Sequence, residues 1–99
     1  MTTSNPVLFD TNVLLYAQDK SSEFFAHAQR AHQLVIDGEL EACVSLQNVM
    51  EFLSVVTNPK RVRRPLSHTV AIREAKKYLD ESFFSVIYPD STTIPHLQS

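Results

Sequence analysis

Ninety-nine residues, 43% of them hydrophobic and 20% charged, describe one domain, residues 1–99, with a modest core and no room for a second. A net charge of -2 excludes a general attraction to nucleic acid, so contact with RNA or DNA has to come from a local basic cluster or a metal bridge. No stretch approaches the roughly 20 apolar residues of a membrane span, the N-terminus lacks a signal-peptide pattern, and the lone cysteine, Cys43, asks for no oxidising compartment, so a cytoplasmic protein without a membrane partner is expected.

Taken in chain order, Pro6 opens a strand over Val7 to Asp10. Asn12 to Gln18 then reads as a short helix with Asn12 as its N-cap. Ser21 or Ser22 begins a longer helix in which Phe24, Ala28, Ala31 and Val35 recur at helical spacing, and Gly38, the only glycine, falls where a left-handed C-cap belongs. Glu41 to Ser45 forms a second strand, in which Cys43 is a small buried apolar residue. A third helix starts at Ser45 or Leu46, carries Leu46, Val49, Leu53 and Val56 on one stripe and ends before Asn58-Pro59; it is apolar on most sides, which predicts burial. After the loop Asn58 to Leu66, Ser67 caps a fourth helix with Ala71, Ile72, Ala75, Tyr78 and Leu79 facing inward, and Phe83 to Tyr88 is a third strand. The tail from Pro89 to Ser99 reads as irregular. Strands alternating with helices in this way predict right-handed crossovers and a parallel sheet.

Asp10, Thr11 and Asn12 follow an apolar strand, and open parallel sheets bind ligands at the carboxyl ends of their strands. An acid delivered there can hold Mg²⁺ or Mn²⁺, hard cations that favour carboxylate and water oxygens; the plain alternative is a strand-end capping sequence. Glu51 is a lone carboxylate in the run Val49 to Val56, six residues past Ser45, which brings it to the same sheet edge. Its plain alternative is a place on the polar side of the helix near Gln47 and Ser54. Lys60, Arg61, Arg63 and Arg64 form a basic loop that suits phosphate positioning or an acidic partner segment, against the alternative of a solvated loop. His27, His32, His68 and His96 show no ligand spacing and read as surface or cap residues, which disfavours zinc. Asp90, at the end of the third strand, reads as the start of a polar turn.

The run Leu8-Phe9-Asp10-Thr11-Asn12-Val13-Leu14, the helix bearing Glu51, the loop Thr57-Asn58-Pro59-Lys60-Arg61, the entry Pro65-Leu66-Ser67 and the strand Phe84 to Tyr88 together resemble the PIN-domain family. The likeness is greatest to the small VapC-like ribonuclease toxins of bacterial and archaeal toxin-antitoxin modules. The resemblance implies a three-layer α/β/α fold, with Asp10 and Glu51 as catalytic, metal-binding acids and Thr11 or Asn12 as support. It also implies Mg²⁺ or Mn²⁺ as cofactor, hydrolysis of an RNA phosphodiester as the reaction, and an antitoxin protein as partner. Family members continue past the third strand with further acids and with a strand that pairs with the first in the order 3-2-1-4-5. The expectation is therefore an incomplete PIN-like fold whose first strand lies open. The alternative function is an inactive PIN-derived module acting in homodimer formation or antitoxin binding.

Overall fold

The computed structural model describes residues 6–80 and 82–89. Asp90, His96 and the tail beyond Pro89 lie outside them. The elements are β1 (Val7–Leu8), α1 (Thr11–Tyr16), α2 (Phe25–Ile36), β2 (Ala42–Ser45), α3 (Leu46–Val56), α4 (His68–Leu79) and β3 (Phe84–Ile87). The strands form a parallel sheet in the order β1-β2-β3, with Val7 opposite Ala42, and Ala42 opposite Phe84.

This register sorts the side chains. Phe9, Ala42, Val44 and Phe84 point to one face and join Leu14 of α1, Val35 of α2, Val49, Phe52 and Val56 of α3, and Ala71, Ala75 and Tyr78 of α4 in a single buried cluster. On the opposite face Leu8, Ser85 and Ile87 are exposed, and Cys43 of the central strand is buried. The described residues thus form two layers, where the family resemblance implies three. The cause is topological: strands added in one direction by right-handed crossovers place every connection on the same side, and only a reversal of strand order can cover the other. Among the described residues β1 pairs with β2 alone, and Val7 and Leu8 are 46% and 50% exposed.

Local chemistry sets the boundaries. Ser45 Oγ accepts from the Asn48 N–H at 3.0 Å and Ser67 Oγ from the Val70 N–H at 3.2 Å, so both serines cap helices as the sequence predicts. Gly38, at φ +78°, lets its own N–H and that of Glu39 turn back to the carbonyls of Val35 and Leu34 at 3.0 and 2.9 Å, closing α2. The start of α2 differs from the prediction. Asp19 Oδ1 takes the Ser21 N–H and Ser22 Oγ takes the Phe24 N–H, each at 3.0 Å, so a side-chain-bonded turn displaces the expected first turn and helix begins at Phe25. In α4, Ala71, Ala75 and Tyr78 are buried as predicted, but Ile72 lies on the outer side and is 46% exposed.

His32 is the other departure. It is part-buried in the core: its Nδ1 lies 2.6 Å from the Ala28 carbonyl oxygen and its Nε2 2.7 Å from the Tyr78 hydroxyl, and the ring packs against Phe9 and Phe84. The carbonyl can only accept, so Nδ1 carries the proton and Nε2 accepts from Tyr78. Burial pushes the imidazole below its usual range and the Tyr78 hydroxyl well above its own.

Candidate functional site

The site begins with the way β1 ends. The Val7 and Phe9 N–H groups donate to the Glu41 and Cys43 carbonyls at 2.9 Å each, and the Phe9 ring is wedged between His32 and Phe84 at centroid distances of 5.1 and 5.3 Å. With Phe9 anchored, Asp10 emerges in extended conformation and becomes the N-cap of α1, its Oδ1 accepting from the Val13 N–H at 3.1 Å. This corrects the assignment of the cap to Asn12. Both residue types cap well, and the choice falls to the first residue beyond the ladder, which is Asp10. The helix accordingly starts at Thr11.

α1 and α3 open at the carboxyl ends of adjacent strands, and Thr11 joins them. Its hydroxyl donates to Glu51 Oε1 at 2.9 Å and lies 3.4 Å from the Asn48 carbonyl oxygen. Glu51 is in the second turn of α3 on an outer face with Gln47, Met50 and Ser54, all exposed. The prediction that α3 is enclosed on most sides is therefore wrong for this face: Phe52 and Val55 lie buried on the other side, so the apolar run wraps the helix without covering Glu51. The carboxylate is solvated, and no burial cost demands a countercharge for it. Its interest lies in its neighbours.

Asp10, Thr11, Asn12, Asn48, Glu51 and Arg61 line one pocket of ≈ 280 Å³, floored by Leu15 and Val55. All four residues predicted from the strand end and α3 are thus brought together, along with one member of the basic loop. Arg63 and Arg64 line a neighbouring cavity, and Lys60 lines neither. Asn48 escaped the sequence reading, although its place three residues before Glu51 puts it on the same side of α3. The Asp10 and Glu51 oxygens not used by Val13 and Thr11 accept no hydrogen bond among the described residues. No group of three or more His, Cys, Asp or Glu side chains suited to a metal ion occurs among those residues.

No protein-family model matches the chain, and no curated protein does.

The donor set decides what the pocket can hold. Two carboxylates, a hydroxyl and amides are all oxygen donors, and no histidine or cysteine lines the pocket. Such a set suits a hard cation that keeps several waters and is completed by a substrate phosphate, for which one or two carboxylates suffice. It does not suit zinc, which takes four nitrogen, sulfur or oxygen ligands in a closed structural site and three in a catalytic one. Arg61 adds a guanidinium on the rim, able to donate two parallel hydrogen bonds to a phosphate.

Proposed function

We propose that the chain is PIN-like and carries a metal-dependent endoribonuclease site of the VapC type, in which Asp10 and Glu51 hold Mg²⁺ or Mn²⁺ at an RNA phosphodiester. The observation that carries this reading is the convergence of Asp10, Thr11, Glu51 and Arg61 on one pocket at the carboxyl ends of β1 and β2. The order β1-β2-β3 also agrees with the first three strands of the family's arrangement.

Each side chain has a task that follows from its contacts. Asp10 is fixed by its capping bond and offers its second oxygen to the pocket. Thr11 holds Glu51 Oε1, which fixes the carboxylate and leaves Oε2 to ligate. Arg61 binds and orients the phosphate. When bound, the cation supplies Lewis-acid stabilisation of the phosphoryl oxygens and lowers the pKa of a water.

The test is titration calorimetry with Mn²⁺ on the wild type, Asp10→Asn and Glu51→Gln, followed by cleavage of a single-stranded RNA. Binding that is lost in both variants, with cleavage lost in parallel, supports the reading. A folded wild type that takes up no Mn²⁺ and cleaves no RNA overturns it.

The edge of β1, unpaired among the described residues and bearing the half-exposed Val7 and Leu8, favours a second reading, an inactive module for self-association or antitoxin binding. Light scattering that returns a monomer at all concentrations, with no uptake of a partner peptide, counts against that alternative.

A further inference from the structure

We propose that the cavity beside the acid pocket is a groove for a single-stranded polynucleotide, which runs between the α1–α2 turn and the α3–α4 loop and crosses Arg61 into the pocket of Asp10 and Glu51. The cavity measures ≈ 710 Å³ and shares Leu15 and Arg61 with the acid pocket, so the two adjoin at these side chains. The inference deepens the ribonuclease reading and rests on it only for the choice of RNA as the strand.

Two segments of the chain bring the charge to the groove. Lys20 comes from the α1–α2 turn, and Arg61, Arg63 and Arg64 come from the loop before α4. Asp19 is the one carboxylate among the groove residues, and it is already engaged: the Ser21 hydroxyl and N–H hold it below the usual carboxylate range, aided by Arg63 and Arg64. Four cations against one committed acid make the groove basic in a chain whose net charge is -2. A local patch of this kind is what phosphate binding requires of an acidic protein.

The loop is held in shape before anything binds. The Arg61 and Val62 N–H groups donate to the Asn58 carbonyl at 2.9 and 3.1 Å, the Lys60 N–H to Asn58 Oδ1 at 2.9 Å, and the Leu66 N–H to the Val56 carbonyl at 2.9 Å. The backbone of Arg61 is therefore fixed at the junction of the two cavities.

The aromatic wall favours a nucleic acid over an acidic peptide. Tyr16 lines the groove and packs against the half-exposed Phe24, with centroids 4.9 Å apart and the rings tilted by 37°. Unpaired bases stack on such a platform whatever their sequence. A duplex hides its base faces and cannot use a recessed ring, so the strand is single.

The test is fluorescence anisotropy with a labelled oligoribonucleotide of about ten nucleotides, a length that grooves of this kind span, in EDTA so that binding is read without cleavage. The probe should bind more weakly as salt rises, and Lys20→Ala and Arg64→Ala should each reduce the slope of log K against log salt by about 0.7. Tyr16→Leu should weaken binding about 5- to 150-fold, whereas Tyr16→Phe binds like the wild type. The same sequence as a duplex should bind less tightly. Unchanged salt slopes in both cation variants overturn the proposal even if Tyr16→Leu fails to fold. Displacement of the probe by oligoglutamate as readily as by unlabelled RNA overturns it too, in favour of an acidic peptide. Cleavage that survives with no loss of binding in the groove variants removes the groove and leaves the nuclease reading standing. Groove-dependent binding without Mn²⁺-dependent cleavage does the reverse.

Discussion

Asp10 has two jobs in this structure, and one pair of substitutions separates them. As the N-cap of α1 it accepts the Val13 N–H, and as a charge it faces the pocket. Asp10→Ala removes both. The lost capping bond costs about 1 kcal/mol, and the lost carboxylate at a solvent-exposed helix N-terminus costs about 0.5 kcal/mol more. Asp10→Asn retains a capping oxygen and loses only the second contribution, so the metal-free variants should differ by about 1 kcal/mol. In a domain of this size that gap corresponds to about 4–8 °C in Tm. Urea denaturation and thermal melting in EDTA measure it. Adding Mn²⁺ at about 100 times its Kd should then stabilise the wild type by about 2.7 kcal/mol and neither variant. Equal destabilisation by Ala and Asn in EDTA would refute the capping role, and Mn²⁺ stabilisation that persists in Asp10→Asn would refute the ligand role.

Other substitutions probe the frame around the site. His32 is held neutral, so the unfolded chain binds more protons than the folded one below the ordinary imidazole pKa of about 6.5. Stability should therefore be fully present above that pH and decline as pH falls toward the lowered folded value. The slope from this group cannot exceed about 1.4 kcal/mol per pH unit. Glu74, whose charge opposes the lowering, should lessen it; His32→Gln should flatten the urea-denaturation profile between pH 5 and 7, and an unchanged slope would exclude His32 as its source. Phe52, fully buried between the sheet and α4, should cost about 3–5 kcal/mol on truncation to Ala, read as a fall in the urea midpoint. Gly38→Ala meets no atom within 4 Å, yet the φ of +78° should make it destabilising by about 1 kcal/mol. A neutral result there would mean that the turn re-forms with another geometry.

Legibility in the sequence followed the range of the interactions. Ser45, Ser67 and Gly38 act on atoms within a few residues of themselves, and their roles could be read from local pattern. The convergence of Asp10 and Glu51 on one pocket could be read for a related reason, since each lies a fixed short distance beyond the strand that aims it. His32 could not be found this way. Its partner Tyr78 is 46 residues away, and nothing near His32 in sequence marks it as a core residue. The cap of α1 was misplaced because Asp10, Thr11 and Asn12 all suit the position, and only the ladder bond at Phe9 decides among them. Glu51 was expected to be enclosed because apolar residues flank it in sequence, whereas the helical turn sends Phe52 and Val55 inward and leaves Met50 and Glu51 outside. The groove walls were half legible: the loop arginines stand out as a run, but Tyr16 and Lys20 join them only through tertiary approach.

β1 is two residues long and has one neighbour among the described residues, yet the chain leaves it directly for Asp10 and the pocket. A strand this short holds few ladder bonds, and amide exchange at Val7 and Phe9 should proceed by local opening, well below the cost of global unfolding. A ligand that bridges Asp10 to Glu51 would fasten this strand to α3 from outside the ladder. Occupancy of the pocket would then be written into the exchange rates of two backbone amides that touch no ligand, and β1 would serve as the latch by which binding energy is transmitted to the sheet.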